Sequence, residues 1–270
     1  MIRRGIMPMT LTQTTFLHNF YVSRPFRLKS SAKRGMNMST GGAARGAVGL
    51  ALLLAAFLGF AARPCAAQTS AAPADWRIGV RKFAAEHFKQ PAWGYSHSVR
   101  DYALARALAA ADHAKFDDDV LFAASFLHDI AAFPPWENEK LDHSDVGADV
   151  VVKILKDTGF PPAKIAAVQG AIRTHMFYRD PVGPEALYLH DADALDWLGA
   201  IGVARIIALV DPMGGSPDGP AVIKMLDENL EKVPSRVLSP AGRGRVAERK
   251  AELQEFLSNL RRESDNLAAL

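Results

Sequence analysis

The chain has 270 residues, 49% of them apolar and 23% charged, enough to bury a full hydrophobic core and ordinary for a soluble globular protein. A formal charge of +3 and a pI near 9.0 invite a nucleic-acid reading, but nine Lys/Arg and no Asp or Glu fall within residues 1–67. Residues 68–270 hold 23 basic against 29 acidic residues, a formal charge of −6, so no nucleic-acid polymer is expected as a partner.

Residues 1–67 read as an N-terminal extension that ends in a signal peptide. Arg45 precedes an uncharged apolar run over 47–62, and small residues close it at Cys65-Ala66-Ala67. That run is short for a membrane span, which needs about 20 residues. The expectation is export to the periplasm or medium with no membrane span left after cleavage; the alternative is a retained N-terminal anchor. Met36 or Met38 would make a conventional start for such a signal. Cys65 is the only cysteine, so the mature chain has neither a disulfide framework nor a cysteine metal site.

After a Ser/Ala/Pro linker over 68–75 the chain reads as helix upon helix, without sustained apolar/polar alternation, so the expected fold class is all-α. Periodicity predicts helices at 75–89, 95–113, 117–131, 142–157, 162–176, 185–210, 219–232 and 240–264. Thr158-Gly159-Phe160-Pro161-Pro162 supplies a glycine stop and then prolines suited to a first helical turn. Asp211-Pro212-Met213-Gly214-Gly215-Ser216-Pro217 reads as a loop. It divides an expected core, 76–211, from C-terminal helices, 212–270, that pack on it and present a solvated mixed-charge face.

Four of the eight histidines carry the chemistry. In the 117–131 helix Val120, Ala124, Leu127 and Ala131 recur at helical spacing, and His128 lies beside Leu127 on that inward stripe, followed at once by Asp129. In the 142–157 helix Val146, Val150 and Ile154 form the predicted buried stripe, which His143 continues. Ile165, Val168 and Ile172 lead to His175 at the same spacing. His97 opens the helix that carries Val99, Tyr102, Ala103 and Leu104, and Arg100 one turn on is placed to meet a bound anion. A buried, unpaired Asp129 would be very costly, and a divalent cation offsets that cost. Imidazole and carboxylate ligands suit Mn, Fe, Zn or Ni, whereas the lack of thiolates argues against a structural zinc site. His87, His113 and His190 are expected to be structural or exposed.

The order His97, then the pair His128-Asp129, then a distant aspartate within Asp191-Ala192-Asp193-Ala194-Leu195-Asp196 resembles the H…HD…D signature of HD-domain metal-dependent phosphohydrolases. The likeness runs from about Trp93 to Asp211. Phe126-Leu127-His128-Asp129-Ile130 and Asp142-His143-Ser144-Asp145-Val146-Gly147-Ala148 are similar to a subgroup of small stand-alone HD hydrolases. The resemblance implies an HD-domain helical bundle with His97, His128, Asp129 and Asp193 as metal ligands. Periodicity alone leaves Asp191 and Asp193 equally placed; the family pattern of an Ala-Asp dipeptide two residues before a leucine favours Asp193. His143 and His175 extend the set to one similar to binuclear members, where the aspartate of the pair bridges two metals.

What the resemblance implies is hydrolysis of phosphate mono- or diesters, nucleotide-like substrates among them, by water activated on one or two divalent ions (Mn, Fe, Ni, Co or Mg). Asp129 would hold the metal and take the water's proton; Arg100 and Lys140 are candidates for phosphate oxygens. The loop Pro134-Pro135-Trp136-Glu137 is a candidate lining of the substrate entrance. Two other readings share the ligands. Mixed-valent di-iron oxygenases use a similar six-residue pattern with iron and oxygen, and a binding module would keep the metal without turnover. The expected partner is a small phosphorylated substrate; the sequence carries no signal for oligomeric state.

Overall fold

The computed structural model describes residues 75–138, 140–210 and 218–268. The proposed signal peptide, most of the linker and the 211–217 loop lie outside them. Among the described residues the chain is helical and has no strand. Asp75 caps α1 (Trp76–His87) by accepting from the Arg77 amide. α2 (Tyr95–Ala111) follows, then α3 (Asp118–Leu127), capped by Asp117. α4 (His143–Thr158) starts at the Asp142 cap and stops at Gly159, whose φ of 80° is the left-handed turn glycine supplies without strain. Next come α5 (Ile165–Thr174), α6 (Pro184–Asp196), α7 (Gly199–Ile207), α8 (Gly219–Lys232) and α9 (Pro240–Glu263). Short 3₁₀ turns occupy Ile130–Ala132, Pro162–Lys164 and Pro234–Arg236.

α3 is the hub. Every residue from Val120 to Leu127 is buried, because α2 and α5 pack against it and α1 and α6 also touch it. Leu121, Phe122, Phe126 and Leu127 each contribute on the order of 1.5–3 kcal/mol by leaving water. Trp76 meets Phe122 and Phe160 edge-on, with ring centroids 5.4 and 4.7 Å away, which locks α1 onto this core. α2 runs against α6, α5 against α4, and α7 against α9.

Three predicted elements need correction. The helix predicted at 117–131 ends at Leu127, and His128 and Asp129 lie where the chain leaves helical geometry, Asp129 having φ −94° and ψ 13°. The helix predicted at 185–210 is two helices, broken at Trp197-Leu198. Gly199 has φ 67°, and a Cβ at Gly202 would lie 2.4 Å from the Trp197 carbonyl oxygen, so the break is built on glycine. The inward stripe of α4 is also rotated from expectation. Ser144, Gly147, Ala148, Val151 and Leu155 are buried, whereas Val146 and Val150 are half-buried, because glycine, alanine and serine let α5 and the 130–132 turn come close.

Candidate metal centre

Five helices and the turn after α3 each bring part of one buried polar cluster together. α2 contributes His97 and, one helical turn later, Asp101, both wholly buried. The end of α3 contributes His128 and Asp129, the first turn of α4 His143, the end of α5 His175, and α6 Asp193 and Asp196. α7 adds Arg205, fully buried.

The imidazoles are held in defined tautomers by their outer nitrogens. Nδ1 of His128 donates to the Ser125 carbonyl at 2.9 Å, and Nδ1 of His175 to the Ile172 carbonyl at 2.6 Å. A carbonyl only accepts, so Nδ1 carries the proton and Nε2 turns a lone pair inward when the ring is neutral. His97 does the same with a carboxylate, its Nδ1 lying 2.8 Å from Asp196 Oδ2. Asp196 in turn accepts from Arg100 Nε and Nη2, at 2.9 and 2.8 Å, and pairs with Arg205 Nη1 at 3.0 Å. The Arg205 guanidinium also lies over the Trp197 ring, 3.6 Å from its centroid.

Inside this frame Nε2 of His97 and Nε2 of His128 are 3.2 Å apart. Asp129 divides its two oxygens. Oδ2 lies 3.2 Å from His128 Nε2 and 3.6 Å from His97 Nε2; Oδ1 lies 3.5 Å from His143 Nε2 and 4.0 Å from His175 Nε2. Asp193 Oδ1 is 3.3 Å from His97 Nε2. One ligand atom each from His97, Asp101, His128 and Asp193 lie within 4.8 Å of one another, as do those of His128, Asp129 and His175. Among the described residues both oxygens of Asp101 and of Asp129, Oδ1 of Asp193 and Nε2 of His175 accept or donate no hydrogen bond. Buried polar atoms with no partner are costly, and lone pairs converging on one point repel. A divalent cation relieves both at once, so this donor set fits a metal ion.

The electrostatics point the same way. Burial, then the charges of Asp196 and Asp193, pushes the Asp101 carboxyl well above the usual range. Burial opposes ionising Asp129, but His128, His143 and His97 hold it far below. For His97, burial and Arg205 favour the neutral ring, yet Asp193 and Asp196 outweigh them and raise it; His128 is raised by Asp129 against the same burial. Burial, then His128, lowers His175 to about 3.

All six residues expected from sequence (His97, His128, Asp129, His143, His175 and Asp193) are in the cluster. Asp191 is not: its oxygens accept from the Leu238 and Ser239 amides at 2.9 and 2.6 Å and meet His190 Nδ1 at 3.0 Å, tying α6 to the start of α9. The expectation that Arg100 contacts phosphate meets a different partner, since its Nε and Nη2 are engaged by Asp196. Lys140 is exposed in the loop before α4, its amide donating to Asn138 Oδ1, and stands outside the cluster. Trp136 packs on Phe83 and His87 of α1, at 5.3 and 5.2 Å. Asp101 and Arg205 were not picked out from sequence. The spacing of Asp101, four residues after His97, was a usable signal, and so was a single arginine within Gly202-Val203-Ala204-Arg205-Ile206-Ile207.

The HD-domain family model matches residues 94–198. No curated protein matches the sequence. Among solved structures the chain is similar to a protein from Lactobacillus plantarum, at 21% identity and a TM-score of 0.53, over 70% of this chain and 96% of that one. It is also similar to YpgQ from Bacillus subtilis, at 19% identity and a TM-score of 0.54, over 70% of this chain and 95% of that one. YpgQ in complex with ADP gives the same identity and score over 69% and 97%. At these identities the likeness shows the fold.

Proposed function

On the premise that residues 94–198 make this chain an HD-domain protein, we propose that it is a metal-dependent phosphohydrolase acting on phosphate mono- or diesters. The observation that carries the reading is the convergence of imidazole Nε2 atoms and unpartnered carboxylate oxygens at one buried point. His97, His128, Asp129 and Asp193 would hold the first ion. The split of Asp129, one oxygen towards each pair of histidines, favours a second ion held with His143 and His175. An ion bound there lowers the pKa of its water and neutralises charge on the phosphoryl oxygens.

The chain's own residues do the rest. Asp129 is held ionised by three histidines, the form in which it would hold an ion. Arg100 acts through Asp196, which fixes His97, so it is a positioning residue. With ions bound, the imidazoles neutral and Asp101, Asp129, Asp193 and Asp196 ionised, the four carboxylates exceed Arg100 and Arg205 by two charges; two divalent ions would make the site positive and receptive to a phosphate anion. The ADP complex of YpgQ supports nucleotide-like substrates within this class. The N-terminal run over 47–62 supports export, and among the described residues no helix is long and apolar enough to cross a membrane.

The test is release of phosphate or nitrophenol from a panel of nucleotides and simple phosphoesters, with Mn, Mg, Co, Ni or Fe added, beside Asp129→Ala. Metal-dependent release that falls by about a thousandfold or more in Asp129→Ala is expected. Silence across the panel, with two irons bound and oxygen consumed, would select the oxygenase instead.

A further inference from the structure

We propose that Asp101 is a fifth protein ligand of the ion held by His97, His128, Asp129 and Asp193, a carboxylate outside the H…HD…D set. The inference rests on the metal reading of the site and extends it.

Asp101 lies one turn after His97 on the inward face of α2 and has no exposed surface. Its Oδ2 is 3.0 Å from His97 Nε2 and 3.6 Å from His128 Nε2, the two atoms that already face each other at 3.2 Å. Neither oxygen accepts a hydrogen bond among the described residues. Of the two arginines of the neighbourhood, Arg100 is engaged by Asp196, and Arg205 divides between Asp196, the Ala92 carbonyl and His97 Nε2, the last at 3.4 Å; neither donates a hydrogen bond to Asp101.

A second fully buried aspartate in the same molecule supplies the contrast. Asp191 has a structural role, and it receives two backbone amides and an imidazole. Burying a carboxylate without such donors has no structural return. Asp101 has lone pairs aimed at the point where His97, His128 and Asp193 converge, and that is the environment of a ligand. A third carboxylate beside Asp129 and Asp193 also makes the set oxygen-rich and anionic, which favours Mn, Fe, Co or Mg over softer ions such as copper.

The experiment titrates metal-stripped protein with Mn(II) by equilibrium dialysis and with Co(II) by visible absorption, for the unmodified chain, Asp129→Asn and Asp101→Asn. The expected result for Asp101→Asn is Mn(II) affinity lower by about tenfold or more and displaced Co(II) bands, because an amide replaces a carboxylate in the coordination shell. Its metal-free form should melt no lower than the unmodified protein, since Asp101 accepts no hydrogen bond whose loss would cost stability. Unchanged Co(II) bands overturn the assignment even if affinity drops, because a residue that only positions His97 would weaken binding without changing the ligand set. If the unmodified chain binds neither ion, the metal reading itself falls; if it binds and only Asp129→Asn loses the ion, this proposal alone falls. Asp101→Ala, which leaves room for a water, repeats the test should the amide disturb folding.

Discussion

At the scale of single residues, Asp191 and Asp193 separate two roles that sit one helical half-turn apart on α6. Asp193 faces the imidazoles, while Asp191 holds the Leu238 and Ser239 amides. Asp191→Ala strands two buried donors, so it should lower unfolding free energy by about 2–4 kcal/mol in a denaturant titration and leave metal stoichiometry unchanged. Asp193→Ala should do the reverse, losing metal at little cost to the metal-free fold. Helical spacing did not carry this distinction, which only the family pattern of an Ala-Asp dipeptide before a leucine favoured. Helical spacing gives Asp191 and Asp193 equally apolar neighbours, and what divides them is a segment 47 residues away in the chain. His128 and His175 were legible because each lies on or continues an apolar stripe, and His97 through its place ahead of the His128-Asp129 pair in the family's order. The Asp196 partner of Arg100 was not legible, because it lies 96 residues on and spacing within one helix reports nothing about another.

Helices, as elements, were largely legible and their interruptions less so. α2, α4, α8 and α9 begin and end close to the positions that caps and periodicity predict. The break between α6 and α7 was missed because Trp197-Leu198 keeps the apolar period running across it. Gly202 is the position on which that break depends, as a Cβ there would press against the Trp197 carbonyl at 2.4 Å. Gly202→Ala should therefore destabilise by roughly 1–3 kcal/mol, read as a lower Tm, although alanine is the better helix former. Gly170→Ala, in α5, has open space around its Cβ and should be neutral or stabilising, which separates packing from propensity. Trp197 and Arg205 flank the same break, so the packing defect should also reach Asp196 and the ring of His97.

For the whole molecule, metal uptake and protonation oppose each other. His97 and His128 are raised above their ordinary range by neighbouring carboxylates, so in the metal-free protein they hold protons that an incoming ion must displace. Metal affinity should rise with pH and uptake should release protons, measurable by calorimetry in buffers of different ionisation enthalpy. Saturation at about one hundred times Kd should add roughly 2.7 kcal/mol to unfolding free energy, and a chelator should remove it. His175 runs the other way. With its folded value lowered to about 3, the unfolded chain takes up this proton first as pH falls below about 6.5, so His175 makes the metal-free fold lose stability towards acid.

The ligands are scattered between residues 97 and 193, and the ring of the first is fixed by a carboxylate 99 residues later. Short stretches of the chain supply at most a pair of donors, His97 with Asp101 or His128 with Asp129, and the full set comes together only through contacts distant in sequence. Selection of the metal is consequently an event of late assembly. On the metal reading, the ions present when α2 and α6 meet would compete for the completed set, so protein refolded in Mn(II) and in Co(II) should carry different ions, which metal analysis of the two preparations checks.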